Sequence, residues 1–302
     1  MLETLGQQLI NGLTIGAFYA LIALGYTMVY GILKQINFAH GDLFMLGAYI
    51  GMTGLDILVG AGLVSPLYII PVCFVSMLIV ALFGLLLERL AYRPLRHTGR
   101  LPVIVSSLGA AIIIQNAVML IYEPRFRWYP EEIALPNWSF TLGNISITFT
   151  QVLLFVMSLV LMGLLYLFIM KTRWGVAMRA VSLDLDTSRL MGINVDRAIA
   201  LTFIIGPALG AAGGVMVGLY YRQLIFTMGW NYGLKAFTAA ILGGIGSIPG
   251  AVLGGIILGV LESLAAGYVA SCWKDAIAFF ILILILLIKP MGILGEKVVE
   301  KI

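Results

Sequence analysis

Apolar runs dominate this chain. They fall near residues 9–33, 38–54, 66–87, 101–121, 151–170, 198–220, 236–267 and 275–289, with short polar stretches between them. A helix that crosses a bilayer needs about 20 apolar residues, so most runs predict one spanning helix each. Two places break the pattern. "NFAHGD" (37–42) sets Asn37, His40, Gly41 and Asp42 between two apolar runs with little room for an aqueous loop. The run 236–267 is too long for one span and carries "GGIGSIPG" (243–250), where Pro249 and the glycines around it interrupt a helix. That run predicts two short helices or one discontinuous helix. The last run stops at Lys289-Pro290. The expectation is an all-α, polytopic transmembrane helix bundle with discontinuous helices. It makes eight to ten crossings and forms one transmembrane domain over residues 1–302.

Charge in the short loops sets the orientation, because lysine and arginine collect on the cytoplasmic side. Arg89, Arg93, Arg96 and Arg100 lie in 88–100, and Lys171, Arg173, Arg179, Arg189 and Arg197 lie in 171–197. Lys289, Lys297 and Lys301 lie in the tail. All three regions are expected in the cytoplasm. The loop 122–150 carries both signs and Pro124, Pro130 and Pro136, and is expected outside. It ends in the alternating "FTLGNISITF", which predicts a small hairpin. Glu3 before the first helix and Lys34 after it suggest an N-terminus outside.

Composition narrows the class. Of 302 residues, 61% are hydrophobic and 11% charged, and the mean hydropathy is +1.06. A soluble domain carries about 25% charged residues, so lipid must solvate this surface. The net charge of +4 reads as an orientation signal and not as a nucleic-acid surface. Residues 1–8 lack a basic segment, so no cleavable signal is expected. Cys73 and Cys272 fall in no metal or disulfide spacing. With two histidines and no nucleophile–base set, no catalytic residue and no metal site are expected. No phosphate loop is present, so any ATP used is bound by a partner. Glycines recur four apart at Gly12/Gly16, Gly47/Gly51, Gly210/Gly214/Gly218, Gly250/Gly254 and Gly255/Gly259. This spacing lets helix backbones approach, either within the bundle or at a subunit interface.

What remains is a route through the membrane. Irregular backbone at membrane depth is tolerated only where protein or a cavity surrounds it, and transporters place substrates at such breaks. The breaks 37–42 and 243–250 are therefore expected in comparable places of two halves, although no clear internal repeat is visible. Asn37 and His40 either cap a helix end or line a path, and Asp42 suits the first turn of the helix that follows. Lys235 and Glu262 are the other charges inside apolar runs, and structural pairing is the plainer reading of them. So few fixed charges favour a zwitterionic or neutral cargo. In 171–197, Val181, Leu185 and Met191 alternate with Asp184, Asp186 and Arg189 at helical spacing. This predicts one short amphipathic helix that rests on headgroups or enters a partner's groove.

"GYTMVYGILKQINFAHGD", "ERLAYRPLR", "DRAIALTFIIG" and "KAFTAAILGGIGSIPGAVLGGIILG" closely resemble the permease subunits of branched-chain amino acid ABC importers, specifically the shorter of two paired permeases. The resemblance runs from about residue 10 to 295. It implies a bacterial inner-membrane permease working by alternating access with a second permease subunit, two ATP-binding subunits that hold ATP and Mg²⁺, and a periplasmic substrate-binding protein. It implies a path or gate at Asn37, Phe38, His40, Gly41 and Asp42 with Gly243, Gly244, Gly246, Ser247 and Pro249. It also implies a coupling helix within 176–192, at Arg179, Ala180, Asp184, Asp186, Arg189, Leu190 and Gly192. The cargo is left open between branched-chain amino acids and another small solute such as urea or an amide. A stand-alone secondary transporter or channel is the competing class, and it would work without ATP.

Overall fold

The structure, a computed structural model, describes residues 2–96, 98–133, 135–136, 138–143 and 145–295. Lys297 and Lys301 lie outside the described residues. Within them run α1 (Leu2–Leu33), α2 (His40–Gly60), α3 (Ile69–Leu87), α4 (Arg100–Tyr122), α5 (Phe149–Lys171), α6 (Arg173–Leu183), α7 (Leu185–Leu190), α8 (Val195–Tyr221), α9 (Met228–Gly243), α10 (Ile248–Tyr268) and α11 (Lys274–Ile288). Among the described residues, eight helical segments are long and apolar enough to cross a membrane. This is the all-α polytopic bundle that the hydropathy pattern predicts. The 236–267 run is indeed two helices, but the first starts earlier than the apolar run, at Met228.

Loop contacts define two ends. Arg93 and Arg96 pair with Asp196 at 3.0 and 2.8 Å, joining 88–100 to the start of α8. Arg96 also pairs with the buried Glu88. After α11 the chain returns under the α9–α10 turn, with Ile293 N–H donating to Leu242 and Leu294 N–H to Gly243. The three basic regions thus share one end. At the opposite end β1 (Arg127–Trp128) pairs with β4 (Gln223–Leu224). The predicted hairpin is there too, as β2 (Ser139–Leu142) and β3 (Ile145–Thr148). Gly143 turns it at φ +63°, and Gln7 at the start of α1 bonds Ser146.

Small residues set the packing of the core. α1 and α8 are the most enclosed spans. A Cβ on Gly16 would lie 2.7 Å from Cα of Ile256 on α10, and one on Gly12 2.6 Å from Cα of Val260. Gly47 and Gly51 face Ala211 and Val215 of α8, and Gly254 faces Ala239 of α9. The glycine spacings therefore serve packing within the bundle. Pro207 inside α8 has no N–H to give, which frees the carbonyl of Phe203. Gly84 of α3 lies against that carbonyl.

The chain contains an internal repeat that its overall composition hides. Met28-Val29, Lys34-Gln35, Phe38 and Gly41 recur at a constant offset as Met216-Val217, Arg222-Gln223, Phe226 and Gly229. The backbone repeats as well. α1 and α8 each end at a basic residue in the left-handed region, Lys34 at φ 52° and Arg222 at φ 61°. Each is followed by a short re-entrant link into the next helix. α1 packs on α10 as α8 packs on α3, and α2 on α4 as α9 on α11. The two units run in opposite directions, with α5–α7 between them. This corrects the expected correspondence: the counterpart of 34–41 is 222–229. The "GGIGSIPG" stretch is the turn between α9 and α10 at the basic end.

Candidate functional site

The N-terminal ends of α2 and α9 meet inside the bundle. Gly41 faces Gly229 and Gly233, with a Cβ on Gly41 only 2.9 Å from Cα of Gly233. Conversely, a Cβ on Gly229 would lie 2.8 Å from the carbonyl oxygen of Gly41. The equivalent glycines of the two repeats thus touch across the repeat axis. This crossing lies deep. Nε2 of His40 is 3.1 Å from the carbonyl of Ile22, eleven residues before the end of α1, or roughly 16 Å along the helix. The 34–39 link therefore carries the chain back to about mid-bilayer before α2 starts. Irregular backbone at that depth needs internal partners.

Asn37 supplies some of them. Its Oδ1 accepts from the N–H of Ala39 at 3.1 Å and from the hydroxyl of Tyr92 at 3.1 Å. His40 does not cap α2. Ala39 holds the N-cap position without a side-chain bond, and the His40 ring instead meets α1, with Tyr26 at 4.7 Å. Asp42 occupies the first turn of α2, as expected, and is 4% exposed. One of its oxygens lies against Gly229 in the first turn of α9, so one carboxylate faces two helix N-termini. Buried polar atoms of Asn37, His40 and Asp42 remain without protein partners. Phe38 is half-buried on the link.

The second predicted path segment does not join this cluster. Gly243 packs on Gly250, Ser247 caps α10 by accepting from Gly250 N–H, and Pro249 sits in the first turn of α10. Gly244 and Gly246 take φ of 110° and 102°, which favours glycine. Gly246 lines a cavity of about 350 Å³ at the basic end, with Tyr30, Lys34, Leu183 and Met291.

The 171–197 loop is two helices and not one. Asp184 ends α6 and caps α7, accepting from Asp186 and Thr187 N–H groups at 3.0 and 2.9 Å. Val181 points into the bundle, whereas Leu183, Leu190 and Met191 are 84%, 87% and 77% exposed. Arg179 donates to Met170, Ala180 accepts from Asp184 N–H, Asp186 pairs with Arg189, and Gly192 closes the hairpin at φ 81°. The apolar tip stands at the basic end.

The expected pairing of Lys235 and Glu262 is present at 2.9 Å. Lys235 also meets Asp275 at 2.7 Å, and the hydroxyl of Tyr19 donates to Glu262 at 2.6 Å. Asp275 and the start of α9 escaped the sequence reading. For the start of α9 the signal was there in the repeated Met-Val, basic-Gln, Phe and Gly positions.

A family model described as the permease component of branched-chain amino acid transport systems matches residues 8–286. This chain belongs to that permease family. It is 47% identical over 301 residues to the high-affinity branched-chain amino acid transport system permease protein BraD of Pseudomonas aeruginosa, covering 98% of this chain and 97% of that protein. It is 43% identical over 305 residues to the permease protein LivH of Escherichia coli, with the same coverage. A probable branched-chain permease of Methanocaldococcus jannaschii is 31% identical over 311 residues. The mid-membrane crossing and the basic-end hairpin therefore belong to a multi-pass transport subunit of the branched-chain permease family.

Proposed function

We propose that this chain is one membrane subunit of an ATP-driven importer of branched-chain or related neutral amino acids in the bacterial inner membrane. Its assembly contains a second permease, two ATP-binding subunits and a periplasmic binding protein. ATP and Mg²⁺ sit on the ATP-binding subunits. The observation that carries the ATP-driven reading is the α6–α7 hairpin. It presents Leu183, Leu190 and Met191 to water at the end rich in lysine and arginine, the cytoplasmic end by charge. An exposed apolar tip on a soluble loop calls for a partner groove. Arg179, Ala180, Asp184, Asp186, Arg189, Leu190 and Gly192 shape that contact.

Alternating access follows from the two opposed repeats. Their half-helix starts meet where Gly41 packs on Gly229 and Gly233. Closure of the ATP-binding subunits pushes the hairpin, and the repeats rock about this crossing. Asn37, Phe38, His40, Gly41 and Asp42 form the gate at mid-depth, and Gly243–Pro249 forms the inner rim. Affinity purification from native membranes tests the assembly. Recovery of a second permease and two ATP-binding chains, with leucine uptake that requires ATP, supports the reading. A lone chain that transports without ATP refutes it.

A further inference from the structure

We infer that the first two turns of α9 and the first turn of α11 hold a site for the amino-acid zwitterion, with Lys235 and Asp275 as its charged poles and Trp230 and Leu234 as its apolar wall. This deepens the importer reading and rests on it.

α11 has 15 residues, about 22 Å of helix. That is shorter than the roughly 30 Å hydrocarbon core, so its first turn lies below the outer boundary. Asp275 in that turn is nevertheless 61% exposed. A charged group in a spanning segment faces a bundle interior or water, not lipid. α9 adds a matching face. Asn231 is exposed and stands one turn before Lys235, while Trp230 is 51% exposed one turn before the half-buried Leu234. Residues four apart share a helix face. α9 thus shows a polar stripe beside an apolar stripe, within the membrane. A branched-chain amino acid has the same division, two opposite charges at one end and an apolar fork at the other.

The ion pairs are arranged for exchange. Glu262 is committed: Oε1 accepts from Lys235 and Oε2 from Tyr19. It is a positioning residue that holds the ammonium of Lys235 when Asp275 lets go. Asp275 gives only Oδ1 to Lys235. An incoming zwitterion places its ammonium on Asp275 and its carboxylate on Lys235, so two opposed charges replace one internal pair with no net change. Lys235 stands on α9 between the Gly41–Gly229 crossing and the basic end, where cargo that has passed the gate arrives.

The test uses the whole complex in proteoliposomes with its binding protein, ATP and a diazirine analogue of leucine. Irradiation during uptake is expected to label residues 230–235 and 274–276. Asp275→Asn leaves the Lys235–Glu262 pair intact, so the complex still co-purifies. Uptake falls about tenfold or more, the weight of one charge-assisted hydrogen bond. Asp275→Glu restores it. Labels confined to other segments or to the second permease overturn the site, as does wild-type uptake by Asp275→Asn. If the wild-type complex takes up neither leucine nor the analogue, the importer reading itself fails.

Discussion

Gly41→Ala tests the crossing of α2 and α9. The added Cβ would lie 2.9 Å from Cα of Gly233 and closer still to the carbonyl of Gly229. Carbon atoms rest about 3.5–4.0 Å apart, so the two helices must separate by nearly 1 Å. Both neighbours are backbone atoms, and no rotamer change relieves the contact. Overpacking of this kind costs about 1–3 kcal/mol. If that cost falls unequally on the outward-open and inward-open forms, it shifts their balance by a factor of about 5–150. Gly109→Ala on α4 is the control, because nothing lies within 4 Å of its Cβ position. Both variants are purified as the full complex. The apparent melting midpoint and ATP-dependent leucine uptake are then measured. Gly41→Ala is expected to lower the midpoint by roughly 2–6 °C and to depress uptake severalfold, while Gly109→Ala matches the wild type. Equal behaviour of the two variants in both assays refutes the tight crossing and its place in the transport cycle.

Other substitutions probe separate links. Asn37→Ala strands the N–H of Ala39, which costs about 1–3 kcal/mol for a buried orphan, and leaves the hydroxyl of Tyr92 only its longer bond to the carbonyl of Ile36; a melting midpoint equal to wild type would contradict the bonding seen here. Glu262→Leu leaves Lys235 with Asp275 alone and strands the buried hydroxyl of Tyr19, for a loss of about 1–3 kcal/mol, to be read as reduced yield of folded complex. Leu190→Asp puts a charge on the exposed hairpin tip without touching the core. Its spans are expected to fold normally while co-purification of the ATP-binding subunits drops, and undiminished recovery would remove the hairpin from that interface.

The apolar runs were enough to place the spans, because lipid demands the same run length wherever a helix crosses. The hairpin at 139–148 was also legible, since its alternation and Gly143 are local signals. The start of α9 was not. Met228–Leu234 mixes Gly229, Trp230 and Asn231, which a hydropathy window reads as loop, yet the residues are helical because α1, α2 and α10 surround them. His40 misled for a similar reason. Its position before α2 suggests a cap, and only the fold reveals that α1 passes close enough to take its ring nitrogen. The repeat was hidden because five shared identities and one basic pair are scattered among unlike residues. What the two units share is the left-handed exit and the short return, and backbone geometry shows these more plainly than side chains do.

The placement of α5 has a consequence for descent. Each repeat begins and ends on the same side, so a simple tandem duplication would have left both copies pointing the same way. One additional crossing between them turns the second copy over. That one segment leads straight into the α6–α7 hairpin. A single insertion of α5–α7 would therefore have supplied two things at once: the antiparallel symmetry of the bundle and the exposed hairpin at its basic end.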